Sequence, residues 1–229
     1  MSQGTRSFGV LALILWGLGA WAQPTYLLRP HREVPIGLSL AGMGAFNLWA
    51  APAVTGFTLA ELDALEPTHI PAWDQWALGR WNEEAGHRSD FLFYGAALWS
   101  SATVLLPALN EGRWQASLPT AVMWVEMNAL TLVATDLTKN LVTRPRPFTY
   151  YSDAPLEARM EGDARKSFFS GHTSMTAANS FYAAKVFSDL YPDSKMKPWV
   201  WAAAAVIPAV TAQQRMAAGS QLGSLSNLG

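Results

Sequence analysis

The sequence predicts an all-α protein, a helical bundle embedded in a membrane, and three observations carry the prediction. Half of the 229 residues are hydrophobic and 11 are Trp, while only 14% are charged, against roughly 25% in soluble domains. Four segments, about Pro35–Val54, Phe91–Leu109, Pro119–Val142 and Pro198–Ala212, are apolar enough to be buried or membrane-spanning helices, and most approach the roughly 20 residues that a bilayer crossing takes. Most of them also carry Gly, Ala, Ser or Thr, the small residues that let helices in lipid pack closely. A soluble all-α protein with buried helices is the alternative, because several segments are short and interrupted by polar residues.

In chain order, the N-terminus shows Arg6, the apolar run Phe8–Trp21, and Ala20-Trp21-Ala22 followed by Gln23. That layout is expected of a secretory signal with a small-x-small cleavage site, or of an uncleaved first anchor. Residues 1–22 therefore form a targeting segment and residues 23–229 one domain. After the first apolar segment, Thr55–Asp90 is rich in Trp, Asp and Glu. Its Trp73, Trp76 and Trp81 lie at near-helical spacing, as in an amphipathic helix at the membrane interface. The second and third apolar segments follow. Thr149–Lys166 is too charged to face lipid, and Thr173–Ser188 is helical in pattern but more polar than the other helices.

Composition also excludes functions. The net charge is −1, whereas a phosphate backbone calls for a basic surface, so nucleic acid is not the expected partner. Cysteine is absent, which removes disulfides, thiolate metal sites and a cysteine nucleophile.

Positive charge is concentrated locally instead. The third segment ends in Lys139-Asn-Leu-Val-Thr-Arg144-Pro145-Arg146-Pro147. Its prolines break the helix, so Lys139 and Arg146, about two turns apart, can converge at a helix end. A plain positive stop after a membrane span would look similar. Further on, Phe168-Phe169-Ser170-Gly171-His172-Thr173-Ser174 stands just before a helix, where free backbone N–H groups and the helix dipole favour an anion. Ser170 and Gly171 can bring a hydroxyl and amides to phosphate oxygens, glycine allowing close approach. His172 is placed to protonate a leaving alkoxide, since histidine titrates near neutral pH.

In this order, Lys139, six residues, Arg146-Pro147, then Ser170-Gly171-His172 resemble the first two signature motifs of the type 2 phosphatidic acid phosphatase (PAP2) superfamily, which includes vanadium haloperoxidases. The resemblance runs from about Val34 to Gly219. One departure is Phe169, where many members have Pro. The resemblance implies a bundle of the PAP2/haloperoxidase type that dephosphorylates lipid or isoprenoid phosphates without a metal or other cofactor. Lys139, Arg146 and Arg215 would hold phosphate oxygens, Ser170 and Gly171 would donate hydrogen bonds, and His172 would be the general acid.

The third family motif is an arginine, five residues, a histidine, three residues and an aspartate; the histidine attacks phosphorus and the aspartate orients it. Arg215 fits the arginine, but the histidine position is Gln221 and the aspartate position Leu225, and no histidine follows His172. The expectation is a truncated or frame-shifted end, with a phosphate-binding pseudoenzyme as the alternative. A haloperoxidase would lack its vanadate ligand here. Glu126 and Asp136, within or near the third span, are expected to be structural: Asp136 as a partner of Arg144 or Arg146, Glu126 as a hydrogen-bonding group inside the bundle. With the motifs facing the periplasm of a bacterial-type inner membrane, Arg113, Lys195 and Lys197 fall on the cytoplasmic side.

Overall fold

The computed structural model describes residues 26–50, 54–70, 75, 77–78, 80–150 and 154–220. The targeting segment, Trp73, Trp76, Gln221 and Leu225 lie outside the described residues. Among the described residues every regular element is helical: α1 (Pro30–Ala50), α2 (Leu59–Asp63), α3 (Glu83–Val104), α4 (Leu106–Glu111), α5 (Leu118–Val142), α6 (Leu156–Met160), α7 (Gly171–Leu190) and α8 (Lys197–Ala217), with short 3-10 turns between them.

Hydropathy located the long helices, and capping set their ends. The helix around Phe91–Leu109 starts eight residues before the apolar run, at Glu83, because the Asn82 side chain accepts the Ala85 N–H at 3.0 Å. Glu83 and Glu84 then meet the positive end of the helix dipole. At the other end of α5, Thr143 adopts a left-handed conformation (φ 45°) just ahead of Arg144-Pro145, where the proline disfavours helix in the residue before it.

α7 is the hub and packs on α3, α5 and α8. Its buried residues include Ser180, Ala183 and Ala184 at 0% exposure, and Ala96 of α3 and Ala204 of α8 are buried as well. Such residues allow the helix axes to approach closely. At mid-height Asn179 joins three helices. Its carboxamide accepts from Ser100 Oγ and from Trp124 Nε1 (3.1 Å) and donates to Asn128 Oδ1 at 2.8 Å. A buried amide left unpaired in this setting would cost about 1–3 kcal/mol, so the network also fixes the register of α3, α5 and α7.

Two stretches among the described residues are long and apolar enough to cross a membrane, Glu83–Glu111 and Trp114–Tyr150, with mean hydropathy 1.5 and 1.2. Only 22% and 11% of the most apolar 18-residue window in each is buried, whereas the core helix of a soluble protein would be mostly covered. Phe91, Leu98 and Trp199 are each more than 70% exposed, an outward apolar surface. The fold is the all-α bundle that the sequence predicts, with two stretches long and apolar enough to cross a membrane.

The helices alternate in direction. The Asn140 amide donates to Asn47 Oδ1 at 2.5 Å, and Glu33 and Glu126 line one cavity of about 570 Å³; both pairs share one spacing, so α1 runs parallel to α5. Tyr26 donates to Asp189 at the far end of α7, and Trp201 of α8 bonds Ser188 at 2.9 Å. One end of the bundle therefore gathers Tyr26, α4 and the α7–α8 turn. The other gathers the polar segments, the end of α5, the start of α7 and the end of α8.

Candidate functional site

Every described residue of the expected site lies at that second end. Lys139 occupies the last turn of α5, Ser170 caps α7, Gly171 and His172 open it, and Arg215 stands in the last turn of α8.

Local hydrogen bonds explain the arrangement. The Arg146 N–H donates to Ala164 O at 2.8 Å and the Ser167 N–H to Arg144 O at 3.0 Å, stapling the Arg-Pro-Arg-Pro loop to the segment that leads into α7. Ser170 Oγ accepts the Thr173 N–H at 3.2 Å, which secures the helix start and leaves the hydroxyl proton free to donate elsewhere. Thr135 and Ser174 hydroxyls meet at 3.1 Å, locking α5 to α7 one turn deeper. A Cβ built on Gly171 would lie 3.3 Å from Lys139 Nζ and 3.5 Å from Thr135 Cγ2. The missing side chain is thus what lets the ammonium of one helix reach the N-terminus of the other.

Arg146 is 8% exposed, and its guanidinium pairs with Asp163 at 2.6 Å. The sequence offered Asp136 as a partner of Arg144 or Arg146; the stapled loop gives Arg146 Asp163. Glu126 lines the cavity between α1 and α5, toward the opposite end from the cations. Arg215 lies past the apolar stretch of α8, where burial, and then Arg146, draw its pKa down to about 10, while Asp90 and Asp163 act against them. Arg146, Arg215 and Lys139 thus lie within electrostatic reach of one another. The Nε atoms of Arg146 and Arg215 are buried and meet no acceptor. Buried donors are paired in the great majority of cases, and two charged ones left without an acceptor at the same end of the bundle are the donors an anion would need.

His172 Nε2 lies 2.9 Å from Asp90 Oδ1, and its ring centroid 5.2 Å from that of Phe93. Burial first, then Arg215 and Lys139, push the imidazole below its ordinary pKa; Asp90 pulls it back up. The sequence reading missed both Asp90 and Asp163. For Asp90 a signal existed, a carboxylate abutting the apolar run that begins at Phe91. For Asp163, one acid among several in a polar linker, there was none. Among the described residues no group of three or more His, Asp or Glu side chains could hold a metal ion.

Residues 120–220 match the family model described as PAP2 superfamily. The match spans Lys139, Arg146, the Ser170-Gly171-His172 helix start and Arg215. No curated protein and no solved structure matches the chain.

Proposed function

From the match of residues 120–220 to the PAP2 superfamily model, we propose that the cationic end of the bundle binds the phosphate of a phosphorylated lipid, of the phosphatidic acid or isoprenoid pyrophosphate class. The family is of phosphatase type. The observation that supports binding in this chain is the pair of buried, acceptor-less guanidinium Nε donors of Arg146 and Arg215, with Lys139 between the α5 and α7 ends.

In this reading Lys139, Arg146 and Arg215 neutralise the phosphate oxygens. Ser170 and the N–H groups at the start of α7 donate to them, and fixed positive charge takes the place a metal holds in other phosphatases. His172, once protonated, is the acid for the leaving oxygen. Hydrolysis through a phosphohistidine needs a nucleophile where this sequence has Gln221, and a carboxamide cannot form that intermediate. Loss of a nucleophile from a coupled set removes many orders of magnitude of rate. The chain is accordingly read as retaining the binding half of the chemistry, with the active-phosphatase reading tested beside it. A vanadate-dependent oxidation has less support, because vanadate would be tethered at the same Gln221 position.

The test measures binding of phosphatidic acid and of undecaprenyl pyrophosphate in detergent micelles, together with phosphate release from both. Saturable binding without turnover is the expected result. Turnover by this chain would refute the inert reading, and no binding of either lipid would refute the site.

A further inference from the structure

We infer that Asp90 is a positioning residue of this site: its carboxylate holds the His172 imidazole through Nε2 and so reserves Nδ1 for the bound anion. The inference rests on the reading that the cation cluster takes a phosphate group, and it adds a residue from outside the family-matched segment.

The geometry is specific. His172 Nε2 and Asp90 Oδ1 are 2.9 Å apart, and an ionised carboxylate can only accept, so the hydrogen sits on Nε2. In the neutral ring Nδ1 then carries the lone pair. In the protonated ring Nδ1–H is the donor left to meet an anion. The groups facing the imidazole are Asp90 and Phe93 from α3, Lys139 from α5 and Arg215 from α8. Two of these are cations that oppose a proton on the ring, and Asp90 offsets them. An acid that must gain a proton as a phosphate arrives needs such an offset.

Stability does not account for the pair. The side chains are 35% and 43% exposed, and ion pairs of that exposure contribute little to folding. Asp90 stands instead at the boundary where the apolar run of α3 begins, on the side that meets the start of α7. Fixing a tautomer is a role that a half-exposed hydrogen bond can fill, as carboxylates do for histidines that bind metals or act as bases.

The experiment reads the imidazole nitrogens of 15N-histidine-labelled protein in detergent micelles, with the His172 signals assigned by their loss in His172→Gln. Wild type at pH 8, with no anion present, is expected as the Nε2–H tautomer. Asp90→Asn keeps an acceptor oxygen but no charge, so the tautomer persists while the protonation midpoint of His172 falls by about one unit. Asp90→Ala loses both, giving a mixed tautomer and a similar fall. Sulfate affinity at pH 6 drops about tenfold in either variant, the fold-change of one unit. An Nδ1–H wild type, or a midpoint unmoved in both variants, overturns the inference, and the wild-type tautomer alone decides should the variants fail to fold. A wild type whose His172 ignores sulfate sinks the phosphate reading and the role of Asp90 with it. Tautomer and midpoint failure sinks Asp90 alone.

Discussion

Gly171→Ala is the sharpest probe of the cation cluster, because it separates binding from stability. The added Cβ would lie 3.3 Å from Lys139 Nζ, closer than carbon and ammonium normally settle, so the flexible lysine tip must retreat. Gly171 is the first residue of α7 and has no left-handed backbone to lose. Alanine there leaves folding unchanged or stabilises it by about 0.4–1 kcal/mol through the unfolded chain. Retreat of an ammonium from about 3 to about 3.5 Å from an anion costs about 0.8 kcal/mol at an effective dielectric of about 20. That is about a fourfold loss of affinity per negative charge. Sulfate titration followed by Trp fluorescence, paired with thermal unfolding, gives both quantities. An unchanged affinity, or a loss accompanied by equal loss of stability, would refute the claim that the missing Cβ exists to admit Lys139.

Other outcomes follow from the same geometry. Asp163→Asn, which removes the carboxylate now paired with Arg146, should tighten sulfate binding about threefold or more, because a built-in competitor is gone; weaker binding would mean that Asp163 orients Arg146 instead. His172 has a folded-state pKa below its ordinary value of 6.5. Its contribution to stability is therefore intact above pH 6.5 and is lost as pH falls through the lowered folded value. Sulfate, whose charge is constant over this range, should bind more tightly along the same descent, and His172→Gln should flatten both trends in unfolding and binding curves. Gly219 has φ 71°, and a Cβ there would lie 1.8 Å from Arg80 O. Gly219→Ala should destabilise the fold by about 2 kcal/mol or more in thermal or denaturant unfolding, since backbone cannot yield as a side-chain tip can.

The long helices were legible because lipid imposes a coarse rule, apolar length, that α3 and α5 obey. Their ends were less so. Asn82, Glu83 and Glu84 start α3 by capping and dipole complementarity, signals that a hydropathy reading passes over. Lys139, Arg146, Ser170, Gly171 and His172 were legible as candidates because prolines and a Ser-Gly step tie each to a helix terminus, whereas Arg215 was legible only through the motif that the family resemblance supplies. What spacing cannot encode is which carboxylate meets which cation. Asp136 lies nearest to Arg144 and Arg146 among the acids of its helix, yet Arg146 takes Asp163, because two backbone hydrogen bonds lay the loop against residues 164–167. Asp90 and His172 are separated by 82 residues, and only the packing of α3 on α7 brings them together.

The parallel course of α1 and α5 binds two sidedness questions into one. Tyr26 touches Asp189, so the start of α1 and the Lys195–Lys197 turn lie at the same end of the bundle, opposite Arg146 and Arg215. A lysine turn kept inside and a mature chain released outside at Gln23 thus make contrary demands on a single surface. The native sequence contains no cysteine, so thiols introduced one at a time can map it without background. Labels at Leu28 and Ser194 must react from one compartment, and a label at Glu161 from the other.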